Sequence, residues 1–296
     1  MNDTKTVAFL GHSDVPLPGD ELIGIVDDLS NSGYNVVFSD ELLEHLDNSL
    51  VNSNKTSIKS MVDIKTADYA FVFGGDGTFL RVAKHCINYG IPITGINLGV
   101  VGFLTDISLK DMRQNIMEIC NGDYISEERF VLSASMERNG QITDFNNVNL
   151  AVNDIVISRG GSGLLLNLQV YIDKKYIYDL RADGMIISTP SGSTAYAMAA
   201  GGPIIEPDLD VISLVPLCAH ALNYRPLVAN LNDKQIEIHV TKSRNPILHF
   251  DGRDDISLKN GDVIRIKRHG DLLKIRHPKS YDFYNTLRKK LSWADI

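Results

Sequence analysis

The stretch YAFVFGGDGT at residues 69–78 decides how this 296-residue chain folds. Its apolar half, residues 69–73, has the length and residue types of a buried strand. An amphipathic helix is predicted after it, because apolar residues recur at helical spacing at Phe79, Val82, Ala83, Cys86 and Ile87. The glycines between the two elements therefore form a strand-to-helix turn, the kind of turn that binds phosphate groups at the carboxyl ends of parallel strands.

The carboxylate in the middle of this turn needs its own explanation. Asp76 would repel a phosphate unless it binds a metal ion, accepts a proton or does both, and the sequence leaves these roles open. Two simpler interpretations are a tight turn without chemistry and a helix N-cap. The turn is not a dinucleotide fingerprint, because Leu80 stands where the third glycine belongs, and the chain has no Gly-Lys pair for a Walker A loop.

Length and composition favour a two-domain globular protein. The net charge of −8 argues against nucleic acid or an anionic membrane as a partner. The three cysteines have no metal-binding spacing, and the chain shows neither a signal-peptide pattern nor an apolar run long enough to span a membrane. These features together predict a cytoplasmic protein.

Two patterns of secondary structure divide the chain. Strands and helices alternate over residues 1–123, which predicts parallel βαβ units in a Rossmann-like α/β nucleotide-binding domain. Short strands broken by turn signals over residues 124–276 predict an all-β antiparallel sandwich, with hairpin turns at Asn139-Gly140 and Asn260-Gly261. Residues 277–296 are predicted to form a tail that packs back on the body.

A second motif, RADGMIISTPSGSTAYAMAAGGP, occupies residues 181–203. A short apolar strand runs into hydroxyl residues and a glycine, and the small side chains that follow leave room for a flat ring near the backbone. Arg181 and Asp183 offer a cation and a carboxylate on one side of an extended chain. The simpler interpretation is a salt bridge within a surface strand, followed by a turn of small residues.

Together the two motifs resemble the signatures of the bacterial NAD kinases. Similar segments also occur at residues 97–99, 102–106, 151–154, 218–222, 225–227, 251–253, 277–278, 284–287 and 291–293. Diacylglycerol and sphingosine kinases and 6-phosphofructokinases share the Gly-Gly-Asp-Gly-Thr turn, but the two lipid kinases lack the Ser-Gly-Ser-Thr-Ala-Tyr block. Two positions depart from the family pattern: Asp154 stands where the family usually has Glu, and Leu164 where some relatives carry a basic residue.

The resemblance implies a phosphotransferase that moves the γ-phosphoryl group of ATP to the 2′-hydroxyl of the adenosine ribose of NAD, giving NADP. It implies a divalent cation, Mg²⁺, a homo-oligomer (tetramer or dimer), and Asp76 as the catalytic residue. The phosphates of ATP would lie on Gly74, Gly75, Gly77 and Thr78. The alternatives are a lipid kinase with the same turn and a non-catalytic NAD(P)-sensing protein.

The same resemblance implies which residues bind NAD. The set is Asp76, Gly77, Asn153, Asp154, Arg181, Asp183, Thr194, Ala195, Tyr196, Ala197, Met198, Ala199 and Arg253, with Arg181 and Asp183 contributed by a neighbouring subunit. His220 is either a further site residue or a structural histidine.

Overall fold

The computed structural model describes residues 4–11, 19–43, 57–58, 61–99, 102–145, 149–161 and 164–293. The chain divides into two compact units, one made of Met1–Glu128 with Leu273–Ile296 and the other of Arg129–Leu272. The domain limits at residues 123 and 276 stay a prediction. None of the helices within the described ranges is both long enough and apolar enough to cross a membrane.

The first unit is an α/β domain. It contains, in chain order, β1 (Thr6–Gly11), α1 (Gly19–Asn31), β2 (Asn35–Phe38), α2 (Asp40–Leu43), β3 (Ser57–Ile58), β4 (Tyr69–Phe73), α3 (Asp76–Ile87), β5 (Ile93–Asn97), β6 (Ile107–Ser108) and α4 (Met112–Cys120), and after the second unit α6 (Phe283–Lys290). Its strands pair in the order β5-β4-β1-β2-β3, and every pairing is parallel. This confirms the predicted parallel sheet.

Strand β4 lies inside this sheet, and its five residues are all buried, as their apolar sequence predicts. Alternate side chains of β1 and β4, such as Phe9 and Phe71, pack in one cluster with the apolar faces of α1 and α4. The rings of Phe9 and Phe71 meet edge-on with their centroids 5.9 Å apart. The packed sheet holds the carboxyl end of β4, and with it the glycine turn, in a fixed position.

The second unit is an all-β domain. It contains β7 (Ile125–Arg138) from Arg129 onward, β8 (Gln141–Asp144), β9 (Leu150–Ala151), β10 (Asp154–Arg159), β11 (Leu166–Ile172), β12 (Lys175–Ala182), β13 (Gly184–Ser188), the short helix α5 (Tyr196–Ala199), β14 (Val211–Leu217), β15 (Leu227–Asn230), β16 (Ile236–Val240), β17 (Pro246–Phe250), β18 (Arg253–Ser257) and β19 (Val263–His277) up to Leu272.

These strands form two antiparallel layers. One contains β12-β11-β16-β19 with β7, β8 and β9, and the other has the order β15-β14-β13-β10-β17-β18. Side chains from both layers, among them Leu168 and Ile264 from the first and Ile155 and Leu248 from the second, share one buried core. This confirms the predicted antiparallel domain, and the shared core is that of a sandwich.

One of the two predicted hairpin turns is wrong. Asn139 and Gly140 both have positive φ and join the paired strands β7 and β8, as an Asn-Gly hairpin requires. Asn260-Gly261 instead connects β18 to β19, which lie in different layers. The bend is held by Asp262, whose side chain is 1% exposed and accepts hydrogen bonds from the Arg138 guanidinium at 2.7 and 2.8 Å.

Candidate functional site

The first part of the site is the turn between β4 and α3. Gly74 has φ +149°, and a Cβ at this position would lie 2.7 Å from the Thr78 side chain, so the turn requires glycine here. Gly75 is the N-cap residue of α3, and both Gly75 and Gly77 are exposed. Backbone N–H groups at an exposed helix N-terminus, together with the helix dipole, favour a bound phosphate group.

Asp76 is the first residue of α3, so the N-cap interpretation of this side chain is wrong. Its carboxylate accepts hydrogen bonds from the backbone N–H of Phe103 at 2.9 Å, the N–H of Leu104 at 3.0 Å and the hydroxyl of Thr105 at 3.1 Å. A Cβ on Gly102 would come within 1.9 Å of Asp76 Oδ1, so only glycine allows this approach. The carboxylate thus fixes the segment 102–105 beside the glycine turn.

The turn is further held by the segment that follows β5. The side chain of Asn97 donates to the Thr105 hydroxyl at 2.9 Å, and its carbonyl oxygen accepts from the N–H of Gly99 at 2.6 Å. Asn97 and Thr105 are almost fully buried. The first part of the site is therefore a hydrogen-bonded network around one half-buried carboxylate, positioned by two neighbouring parallel strands.

The second part is a cleft of about 400 Å³ within the all-β unit. Its lining comprises Asn153, Asp154, Val156, Ser158, Ala195, Tyr196, His249, Asp251 and Gly252. Residues 154, 156 and 158 alternate along β10 and share a face, whereas Ile155 and Ile157 point into the core. The structure thus brings together four residues of the predicted NAD-binding set: Asn153, Asp154, Ala195 and Tyr196.

Two buried polar side chains face this cleft. Asn153 is 9% exposed, and its Oδ1 atom makes no hydrogen bond within the described part of the chain. Asp154 is 4% exposed. Because burying a polar group without a partner costs free energy, an unpartnered amide oxygen that lines a cleft indicates a site for a hydrogen-bond donor.

Asp251 holds the segment that carries these side chains. Its carboxylate accepts N–H hydrogen bonds from Val152 at 3.1 Å, Asn153 at 2.7 Å and Asp154 at 3.2 Å. Asp251 itself has φ +53°, a conformation that Asp and Asn adopt more readily than most residues. The sequence does not predict this role: Asp251 begins the family-like segment 251–253, but only Arg253 of that segment is in the predicted NAD-binding set.

The small-residue motif covers one side of the cleft. Ala195 and Tyr196 line the cleft, and the Tyr196 ring is half exposed and free to contact a ligand. Ala197 is fully buried against Val156 and Ile186, so it anchors the short helix α5 to the sheet. Thr194, Met198 and Ala199 lie on either side of these residues but do not line the cleft.

Four other predicted residues lie outside the cleft. Asp183 forms an ion pair with Arg159, with Nε and Oδ1 2.9 Å apart, so the simpler interpretation, a salt bridge between Arg181 and Asp183, is wrong. Arg181 lines a different cleft. His220 is exposed, and its backbone N–H donates to the carbonyl of Arg181 at 2.9 Å. Arg253 is exposed and follows the cleft residue Gly252.

His249 is a cleft residue that sequence analysis did not find. Its Nε2 atom is 2.9 Å from the Ser158 hydroxyl, and its Nδ1 atom is 2.8 Å from the carboxylate of Asp255. No motif surrounds His249. It reaches the cleft because it pairs with Val156 across two antiparallel strands, a register that the sequence alone does not reveal.

Metal-binding side chains are not clustered in the described ranges. No group of three or more His, Cys, Asp and Glu residues there could hold a metal ion. The Asp76 carboxylate, moreover, already accepts hydrogen bonds on both oxygens.

Two family models match most of the chain. The ATP-NAD kinase N-terminal domain matches residues 24–124, and the ATP-NAD kinase C-terminal domain matches residues 152–274. The NAD kinase of Thiobacillus denitrificans is 38% identical over 290 residues, covering 98% of this chain and 97% of that protein. The NAD kinase of Nitrosomonas europaea is 37% identical over 296 residues, covering 99% and 96%.

Solved structures agree with these matches. Yeast NADH kinase complexed with NADH superposes with a TM-score of 0.86 at 25% identity and covers 98% of this chain and 88% of that chain. An NAD kinase from Archaeoglobus fulgidus in complex with ATP superposes with a TM-score of 0.74 at 22% identity, covering 97% and 98%, and supports the fold alone.

Proposed function

Because this chain belongs to the ATP-NAD kinase family, we propose that it transfers the γ-phosphoryl group of ATP to the 2′-hydroxyl of the adenosine ribose of NAD, giving NADP. The observation that carries this proposal is the cleft beside Asn153, in which a buried amide oxygen with no hydrogen-bond partner among the described residues lies next to a buried carboxylate. Both groups accept hydrogen bonds, and ribose hydroxyls are donors of the matching kind.

ATP, the phosphoryl donor, binds at the glycine turn. Gly74, Gly75, Gly77 and Thr78 bind the phosphates of ATP through backbone N–H groups at the N-terminus of α3. Magnesium enters as part of the Mg-ATP substrate and neutralises the phosphate charge. Asp76 accepts the proton that leaves the ribose hydroxyl as the new bond to phosphorus forms. Its hydrogen bonds to residues 103–105 keep this carboxylate in one orientation.

NAD, the phosphoryl acceptor, binds in the cleft of the second unit. Asn153 and Asp154 hold the ribose, and the half-exposed ring of Tyr196 stacks on an aromatic ring of the ligand. Ala195 lines the cleft, and its small side chain lets that ring approach the backbone. The neighbouring residues Thr194, Ala197, Met198 and Ala199 position Ala195 and Tyr196 in this proposal, with Ala197 packed against the sheet. Arg253 interacts with phosphate, for which a planar guanidinium is suited.

A homo-oligomer completes this site in the proposal. Arg181 and Asp183 lie outside the cleft that Asn153 and Asp154 line. Their position supports the proposal that they contribute to the NAD site of a neighbouring subunit. His220 belongs to the same region, because its backbone N–H donates a hydrogen bond to the carbonyl oxygen of Arg181. A homotetramer or dimer in the cytoplasm is the proposed form of the enzyme.

The experiment that tests the acceptor site replaces Asp154. Loss of a hydrogen bond to a charged group costs about 1.5–3 kcal/mol, so Asp154→Ala raises the KM for NAD roughly tenfold to a hundredfold. The KM for ATP changes little, and Asp154→Glu retains activity. Asp233→Ala, at an exposed position outside the cleft, is the control for the loss of one charge. An unchanged KM for NAD in Asp154→Ala removes Asp154 from the site.

A further inference from the structure

One buried histidine of the first unit lies outside both parts of the site. His277 is the last residue of β19, and its side chain is 1% exposed. Its Nδ1 atom lies 2.8 Å from a carboxylate oxygen of Asp106, and its Nε2 atom lies 2.8 Å from a carboxylate oxygen of Glu127. Because carboxylate oxygens accept hydrogen bonds, both ring nitrogens donate, and the ring is an imidazolium cation. The histidine thus joins two carboxylates of the same unit.

The backbone and the ring of His277 are both held in place. The end of β19 pairs with the parallel strand β5, and the hydroxyl of Thr94 donates to the carbonyl of Arg276 at 2.7 Å. The N–H of Tyr281 donates to the carbonyl of Pro278 at 2.9 Å, which turns the chain back over the histidine. The Tyr281 ring then stacks on the imidazole with the centroids 3.7 Å apart. Since an aromatic face attracts a cation, this stacking keeps the ring in one orientation.

Asp106 connects this histidine to the network around Asp76. It directly follows Thr105, whose hydroxyl donates to the Asp76 carboxylate at 3.1 Å. On its other side, Ile107 pairs with strand β5. The side chains of Thr105 and Asp106 therefore have different partners, although one peptide bond joins the two residues. A contact from His277 that fixes Asp106 also limits how far the Thr105 hydroxyl can move from Asp76.

We propose that His277 is a positioning residue, whose Nδ1 contact with Asp106 holds segment 102–105 and, through it, orients the Asp76 carboxylate. The contact of Nε2 with Glu127 stabilises the fold at the opposite ring nitrogen and does not orient Asp76. The effect on turnover rests on the proposed function, whereas the effect on segment 102–105 does not. A misplacement of about 1 Å in a reacting group lowers turnover by up to about 10²-fold, so a contact outside the site can matter for catalysis.

Two substitutions separate the two ring nitrogens. The amide nitrogen of asparagine lies close to the position of histidine Nδ1, and the amide nitrogen of glutamine lies close to that of Nε2. His277→Asn therefore keeps a donor for Asp106, whereas His277→Gln keeps a donor for Glu127. Each variant takes one hydrogen bond from a mostly buried carboxylate, so we expect both to lose stability. Lys279→Ala is the control, because it removes a cation of the same segment whose ion pair with Asp123 is exposed.

The test combines steady-state kinetics of NADP formation with hydrogen exchange of the Phe103 and Leu104 amides, which donate to Asp76. We expect His277→Gln to lower kcat at least about tenfold and to change the KM for NAD and ATP less than about twofold. The exchange of the two amides should become at least about tenfold faster in this variant. His277→Asn and Lys279→Ala should stay within about threefold of the unmodified chain in kcat and in exchange.

A second pair of variants repeats the comparison without changing the histidine. Asp106→Ala should lower kcat and speed exchange as His277→Gln does, and Glu127→Ala should leave both within about threefold, so the test stands even if neither His277 variant folds. Equal kcat values, or equal exchange rates, in the two members of a pair would overturn the proposal. Exchange is measured whether or not the chain forms NADP. A chain that shows the exchange difference but forms no NADP would therefore refute the proposed function and not the anchoring of segment 102–105.

Discussion

Replacing Asp76 with asparagine separates the catalytic and structural roles of this side chain. Asparagine keeps the size of aspartate but has one acceptor oxygen instead of two. In the native network, Oδ2 accepts from Phe103, whereas Oδ1 accepts from Leu104 and Thr105. An amide that keeps the two bonds of Oδ1 must turn its NH₂ group toward the N–H of Phe103, so one backbone donor loses its acceptor.

The structural part of this loss is about 1–3 kcal/mol of stability, the usual cost of an unpaired polar group. The catalytic part of the loss appears in kcat, because removing a general base lowers turnover by about 10²–10⁴-fold. We therefore expect Asp76→Asn to lower kcat by at least about 10² while NAD binding is retained, since the loss lies in the transition state. Turnover is followed by coupled NADP formation, and binding is followed by titration with NAD.

Thr105→Val is the control for the structural part. It removes one hydrogen bond to the carboxylate and the acceptor of Asn97 but leaves the charge of Asp76 in place. We expect a modest loss of stability and less than about a tenfold loss of kcat. Near-normal turnover of Asp76→Asn would refute the catalytic role and leave only a phosphate-binding turn. Equal loss of kcat in both variants would show that the network matters rather than the charge, and rescue of Asp76→Asn by higher magnesium would favour a metal-ligand role.

Three further predictions concern a hydrogen-bonded carboxylate, an ion pair and the cysteines. Asp251→Asn, which tolerates the same backbone conformation, removes a carboxylate that accepts three N–H groups, so the KM for NAD rises about tenfold while kcat changes less; an unchanged KM would show that the segment needs no such support. Burial of Asp262 by itself would raise the pKa of its carboxyl group. The hydrogen bond from Arg138 has the opposite effect and outweighs burial, so the pKa of Asp262 lies below the ordinary 3.8. Stability from this pair is thus present above pH 3.8 and lost as the pH falls through the lower folded value, so urea unfolding should separate Asp262→Asn from the native chain by about 2 kcal/mol at pH 7 and by less at pH 2; a pH-independent gap would contradict this. Burial raises the pKa of the Cys86 and Cys120 thiols to about 12, whereas Cys218 is exposed, so Ellman's reagent should titrate one thiol in the native chain and three after unfolding.

The parts of the fold that the sequence predicts are those with local signals. The strand-turn-helix around Gly74 combines an apolar run, glycines and helical spacing within about 20 residues, the length of one βα unit. These neighbouring signals all predict the same local structure. The Asn139-Gly140 hairpin is equally local, because its turn residues require positive φ. Asn260-Gly261 has the same dipeptide but joins two layers, and only the pairing of distant strands determines that outcome.

The parts of the site that the sequence does not predict depend on contacts between distant residues. Asp251 accepts hydrogen bonds from backbone N–H groups about a hundred positions earlier in the chain. His249 reaches the cleft because β17 pairs with β10 in a register that places it opposite Val156. Neither contact leaves a periodic pattern in the sequence. The partner of Asp183 is Arg159 rather than the nearer Arg181, because the sheet and not the chain decides which side chains meet.

The central claim is that this chain phosphorylates NAD, and a single coupled assay tests it most directly. Purified protein is incubated with NAD and Mg-ATP, and the NADP formed is measured with an NADP-specific dehydrogenase. The account predicts NADP formation that requires both substrates and falls at least about 10²-fold in Asp76→Asn. Binding of NAD without NADP formation would indicate a sensor, and phosphorylation of diacylglycerol or sphingosine in place of NAD would indicate a lipid kinase. Either result would contradict the account.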